Sequence, residues 1–206
     1  MALRLHSWPR SSGTRISWAL EELGVPYEYV LVDRDRQEQR SPPYLAINPH
    51  GKIPALVDRE ETYFESAAIL VHLGHRYGVE RRLWPAAGAP GHADALCWTV
   101  WGTTELGNYM MQYLYHGVDS PVSYKPADRS AAAAQYNHAQ FTRCLDALEV
   151  RLGARQHLLG DFSLVDVAAA SWLLFGTMLG VALDGHPRVA GWTRRCAERS
   201  AFKRAR

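Results

Sequence analysis

The chain has 206 residues, room for one large or two small domains with a real core. Its formal net charge of +2 comes from 23 basic and 21 acidic residues, which argues against a general nucleic-acid surface and for small-molecule partners. Three cysteines, Cys97, Cys144 and Cys196, are far apart with no metal-ligand spacing, and no charged region followed by an apolar run opens the chain; a reducing cytoplasm is expected.

Leu3 to Ser7 reads as a short strand. The loop Trp8-Pro9-Arg10-Ser11-Ser12-Gly13 leads into a helix with Ile16, Leu20 and Leu23 on one face, stopped by Gly24. Tyr27 to Val32 alternates as a second strand, and Asp33 to Arg40 is a charged connection. Pro42-Pro43 after Ser41 predicts a helical turn through Ile47. Ile53 to Val57 and Thr62 to Phe64 are two strands of a hairpin around Arg59-Glu60, and Ser66 to Tyr77 is a helix ended by Gly78. The order β-α-β-α-β-β-α is that of the thioredoxin-like fold.

The turn-rich run Leu83 to Gly91 then marks a boundary near residue 85. Beyond it every pattern is helical: a long aromatic helix from His92 to Tyr115, an irregular loop to Asp128, and a helix from Arg129 to Leu152 with Phe141, Leu145, Leu148 and Leu152 in register. Another helix begins at Pro187 and runs to about Arg199. Leu164 to Leu183 is apolar enough for a membrane span, but Asp166, Gly176 and Gly180 favour a buried helix, opened by a capping box from Ser163 to Asp166. The expected division is 1–80 as a thioredoxin-like α/β domain, 81–90 as linker, and 91–206 as an all-α domain.

The most informative segment is Asn48-Pro49-His50-Gly51-Lys52-Ile53-Pro54, followed by Glu65-Ser66. A proline just before a strand cannot donate to the ladder, and a cis bond there would hold Ile53 at a corner with its N–H and C=O turned to a ligand. Ser66 is placed to cap a helix whose first N–H groups suit a carboxylate, beside the acidic Glu65. Carboxylate and ammonium of an amino-acid head group need that opposite pairing.

These motifs, with Pro9 to Glu28, and with Arg34-Asp35 and Ser41-Pro42-Pro43-Tyr44-Leu45, resemble the glutathione S-transferase superfamily over essentially the whole chain, in particular bacterial and fungal members that use serine. The resemblance implies that glutathione is co-substrate, without a metal. It implies that Ser11 points its hydroxyl at the glutathione sulfur, with Ser12, Ser7 and Thr14 as competitors and Arg10 or Arg15 adding positive potential. A hydrogen bond to the charged form and a helix N-terminus lower a thiol pKa from its usual ~8.5. Lys52, assisted by His50, would take the glycyl carboxylate; Ile53 and Pro54 the peptide; Glu65 the γ-glutamyl ammonium and Ser66 its carboxylate. Trp8, Trp101, Tyr109 and Tyr113 are candidates for an apolar electrophile pocket.

No cysteine lies in the first loop, which disfavours glutaredoxin-like chemistry; the three present read as buried small hydrophobes. The resemblance also implies a cytoplasmic homodimer without nucleic-acid or membrane partners. Glutathione-dependent isomerisation, peroxide reduction or ether cleavage, a non-catalytic binder of glutathione conjugates, and a dimeric scaffold remain the alternatives.

Overall fold

The computed structural model describes residues 3–205. Contacts divide the chain into two compact units: one takes in the chain up to His92 and again from Arg199, the other is Ala93–Glu198.

In the first unit β1 (Leu3–Ser7) lies between β2 (Tyr27–Leu31), parallel to it, and β3 (Ala55–Asp58), antiparallel; β4 (Glu61–Phe64) pairs with β3 to complete the order β2-β1-β3-β4. The parallel β1–β2 pair requires a crossover, which is α1 (Thr14–Leu23). This helix buries seven of its ten residues, far more than the single apolar face read from Ile16, Leu20 and Leu23. Gly24 ends it in the left-handed conformation at φ 59°. Ser41 caps the short α2 (Pro42–Leu45), and Arg59, at φ 60°, turns the β3–β4 hairpin.

The register decides where the site lies. His6 pairs with Ala55 and Ala55 with Phe64, so the end of β1, the start of β3 and the end of β4 emerge at one edge of the sheet. The loop after β1, the Ile53-Pro54 segment and Glu65-Ser66 therefore meet there. Asp58 and Glu61 close the opposite edge.

α3 (Ser66–Leu73) buries Ile69, Leu70 and Leu73 and runs into a π turn, Gly74–Gly78. Trp84, expected in a linker, is only 3% exposed and fills this turn. A side chain on Gly74 would start 2.4 Å from its ring, so only glycine fits. His75 and His92 meet through their Nε2 atoms at 2.9 Å. The chain also departs from the expected 91–206 domain at its far end. α9 (Ser200–Arg204) packs on α1: Arg199 forks onto Glu22 at 2.5 and 2.7 Å, Arg204 reaches Glu21 at 2.8 Å, and Phe202 sits edge-on to Trp18.

The second unit is helical. The expected long aromatic helix is α4 (His92–Trp101) and α5 (Gly107–Gly117) joined by a π turn, Gly102–Leu106. The interruption falls where α7 (Leu164–Met178) comes close: a Cβ on Gly102 would lie 3.1 Å from Ala169, and one on Gly107 2.4 Å from Trp172. α6 (Ala131–Leu152) is capped by Ser130 and buries the expected Phe141, Leu145, Leu148 and Leu152. α7 stops at Met178, short of the expected Leu183, because Gly180 turns left-handed at φ 90° and Val181 bonds back to the Gly176 carbonyl. Asp166, fully buried, accepts from Ser163 N–H at 2.9 Å, Leu158 N–H at 3.0 Å and, on α8 (Pro187–Glu198), Trp192 Nε1 at 2.8 Å. It is the structural cap expected of it. Among the described residues no helix is long and apolar enough to cross a membrane. Cys144 and Cys196 are buried, but Cys97 is exposed, because α4 turns it away from the residues it buries, Ala95 and Thr99.

Candidate functional site

Asn48 and Tyr44 build the central corner. The Tyr44 hydroxyl and the Asn48 amide both donate to the Lys52 carbonyl at 2.7 Å, and Asn48 Oδ1 accepts from the His50 N–H at 3.0 Å. Tyr44 is 4% exposed, and burial raises its phenol to about 12, so it stays a donor. The turn is thereby rigid. It leaves the Lys52 and His50 side chains exposed, His50 edge-on to Phe64 at 5.4 Å. The Ile53–Pro54 bond is cis, and the Ile53 carbonyl is already taken by Ser12 Oγ at 3.1 Å.

Ser11 sits in the turn before α1, whose N-cap is Gly13. Its hydroxyl donates to the Trp8 carbonyl at 2.5 Å and accepts from the Gly13 N–H at 3.1 Å, with the buried Ser7 Oγ 3.2 Å away. To serve a sulfur, the Ser11 proton must swing off that carbonyl. Ser7 Oγ also donates to the same oxygen, at 3.3 Å, and is placed to keep it satisfied. Gly13 is required here, since a Cβ would lie 1.8 Å from Ser7 Oγ.

At the third corner the expected cap is displaced by one residue: Glu65, at φ 64°, is the N-cap and Ser66 the first residue of α3. The reason is the partner of Ser66, whose hydroxyl accepts from Arg15 Nη1 at 3.0 Å. Glu65 is exposed and its carbonyl accepts the Ile69 N–H. Ser11, Lys52, Ile53, Pro54, Glu65, Ser66 and His50 thus gather at one edge of the sheet, and two side-chain bonds, Ser12 to Ile53 and Arg15 to Ser66, tie the corners together.

The aromatic candidates divide. Trp8 packs against the buried cluster of Val32, Tyr44 and Ala55 with Ile47 and Ile53. Trp101 meets Trp98 edge-on at 5.0 Å. Tyr113 lies 4.7 Å from His138 of α6 and fills the space beside Gly117. Tyr109 has its phenol raised by burial and by Tyr136 of the same helix, α6. Among the described residues no group of three or more His, Cys, Asp or Glu is arranged to hold a metal.

The supports of these corners are not named by the motifs. Tyr44 and Asn48 stand in them without a role of their own, and Arg15 figures there only as a charge near the sulfur; an arginine beside Ile16 at the start of a buried helix is the available signal.

The chain is similar to known proteins over nearly its whole length. Residues 1–75 match the glutathione S-transferase N-terminal domain family and residues 111–200 its C-terminal domain family. Glutathione S-transferase 3 of Zea mays is 30% identical over 98% of this chain and 92% of its own. Glutathione S-transferase GstB of Escherichia coli K12 is 29% identical over 96% and 95%. Among solved structures, a Burkholderia graminis glutathione transferase with two glutathione molecules bound per subunit superposes with a TM-score of 0.85 at 29% identity, covering 98% of this chain and 86% of that one. A Phanerochaete chrysosporium glutathione transferase with oxidized glutathione gives 0.85 at 26%, covering 98% and 92%. With both family domains in order, and that sheet edge built from the residues the motifs named, this chain belongs to the glutathione S-transferase family.

Proposed function

We propose that the protein is a glutathione transferase that stabilises the glutathione thiolate for attack on an apolar electrophile. The observation that carries this is the convergence of three corners, Ser11, Lys52 to Pro54 and Glu65-Ser66, at one edge of the sheet. Lys52 with His50 takes the glycyl carboxylate, Ile53 beside the cis Pro54 the peptide backbone, Glu65 the γ-glutamyl ammonium and Ser66 its carboxylate. Ser11 lies at the head of α1, where a hydroxyl proton and the helix N-terminus both favour an anion. Trp8, Trp101, Tyr109 and Tyr113 are the residues put forward for the electrophile. A cytoplasmic homodimer completes the reading.

An ultraviolet titration with bound glutathione, comparing the protein with Ser11→Ala, tests it. Thiolate absorption well below pH 8 that is lost in the variant is the expected result. The short Ser11–Trp8 contact favours one rival, a binder that holds glutathione conjugates without activating the thiol. Tight conjugate binding with no lowered thiolate would establish that rival instead.

A further inference from the structure

We propose that Arg15 is a positioning residue for the γ-glutamyl carboxylate: it fixes the Ser66 hydroxyl as an outward-facing donor and sets a cation behind that corner. The inference rests on the glutathione reading above. Arg15 is the second residue of α1 and 3% exposed, a setting in which guanidinium groups are rare unless they have a task. Its Nη1 reaches 51 residues along the chain to Ser66 Oγ, at 3.0 Å, from a neighbouring helix. Burial brings the guanidinium down to about 9, so at neutral pH it remains a cation.

The polarity of this bond follows from the chemistry of the two groups. A guanidinium has only donors, whereas a hydroxyl has one proton and two lone pairs. Ser66 Oγ must therefore accept from Arg15, which leaves its own proton for another partner. Ser66 is half-buried, so solvent still reaches it. Beside it are the first N–H groups of α3, to which the N-cap Glu65 side chain offers no hydrogen bond. An anion there meets the Ser66 proton and those N–H groups, with the Arg15 charge behind them in a poorly solvated place where it is weakly screened. A hydroxyl held as donor, amides and a cation together select a carboxylate over a neutral group. Lysine at this position would keep the charge and lose the rigid planar fork.

Bracing α1 against α3 alone would affect every ligand equally, which gives the test. The protein, Arg15→Lys, Arg15→Met, Ser66→Ala and the Arg15→Met/Ser66→Ala double variant are titrated calorimetrically with two peptides. One is glutathione; the other carries 4-aminobutyryl in place of γ-glutamyl and so lacks only the α-carboxylate. The unaltered protein is expected to prefer glutathione by about thirtyfold, Arg15→Met by less than about threefold, and Arg15→Lys by an intermediate ratio. The double variant should be no worse than Arg15→Met by more than about twofold, because the pair acts as a unit. With an activated aryl halide, the glutathione KM of Arg15→Met should rise about tenfold while kcat falls by less than about threefold.

Equal weakening of both peptides in Arg15→Met would overturn the proposal and leave Arg15 a brace. Should that variant not fold, equal weakening of both peptides in Arg15→Lys and in Ser66→Ala overturns it in the same way. If the unaltered protein binds neither peptide, the glutathione reading itself has failed, a result distinct from loss of discrimination in the variants.

Discussion

At the hairpin edge of the sheet, Asp58 accepts from Tyr77 and bonds His72, each at 2.8 Å, and Tyr63 stacks on the His72 ring at 3.9 Å. At the opposite edge, Ser11 donates to the Trp8 carbonyl of its own loop, Ser12 to the Ile53 carbonyl of another corner and Arg15 to the Ser66 hydroxyl, while Lys52, His50 and Glu65 are left exposed. Both edges are dense in polar groups. In the first, side chains satisfy one another and the set is closed; in the second they fix the backbone and leave hydrogen-bonding capacity directed outward. The contrast separates polar groups that close on one another from polar groups that stay open to solvent.

The largest effect should come from opening the closed edge. Asp58→Ala leaves His72 and Tyr77 without their shared acceptor and should cost about 3 kcal/mol in denaturant unfolding, with glutathione affinity changed less than about twofold. An equal loss of affinity would mean the edges are not independent. Acid titration sharpens the point. Burial pushes the Asp58 carboxyl up, but the His72 and Tyr77 hydrogen bonds, and then the charges of His72 and Arg76, hold it below its ordinary value. The stability it supplies is complete above about pH 4, the unfolded value, and is lost as pH falls through the lowered native one. Asp58→Asn should therefore flatten the acid limb of the stability curve, whereas Ser12→Ala should leave it in place.

Ser11→Ala is next: turnover should fall about a hundredfold, as for loss of one donor to a developing anion, with the glutathione KM within about threefold. Unchanged turnover would remove Ser11 from the mechanism and turn attention to Ser12, Ser7 and Thr14. Gly13→Ala forces Ser7 aside and should cost about 2 kcal/mol of stability together with part of the turnover, measured by unfolding and steady-state rates. Smallest is Lys52→Ala, an exposed charge, which should raise the glutathione KM about fivefold at low salt and less at high salt. A salt-independent effect would show that Lys52 acts by shape rather than charge.

What could be read from the chain depended on how local the cause was. Gly24 as a helix stop, the Arg59-Glu60 hairpin and the Ser163 to Asp166 cap are set within a few residues, and each is found where the pattern put it, whereas β3 starts at Ala55 instead of Ile53 and is buried along its length rather than on alternate residues. The corners of the site were legible because turn and proline chemistry is also local. Features decided across the sequence were not. Ser66 gave up its capping place to Arg15 on another helix; the π turn at Gly102–Leu106 answers to Ala169 and Trp172; and exposure of Cys97 depends on which face of α4 is covered. The departure of the last residues from the helical unit has the same origin, an arginine reaching a glutamate 177 positions away.

That last contact bears on how the protein is made. Glu22 and Trp18 acquire Arg199 and Phe202 only after the 177 positions that separate Glu22 from Arg199 have been made, which at ordinary elongation rates is roughly 10–35 s after α1 itself. Until then Trp18 lacks its final covering ring, and the first unit is an incomplete globule awaiting its last turn of helix. A nascent N-terminal unit is thus exposed to chaperones and to premature association throughout that interval.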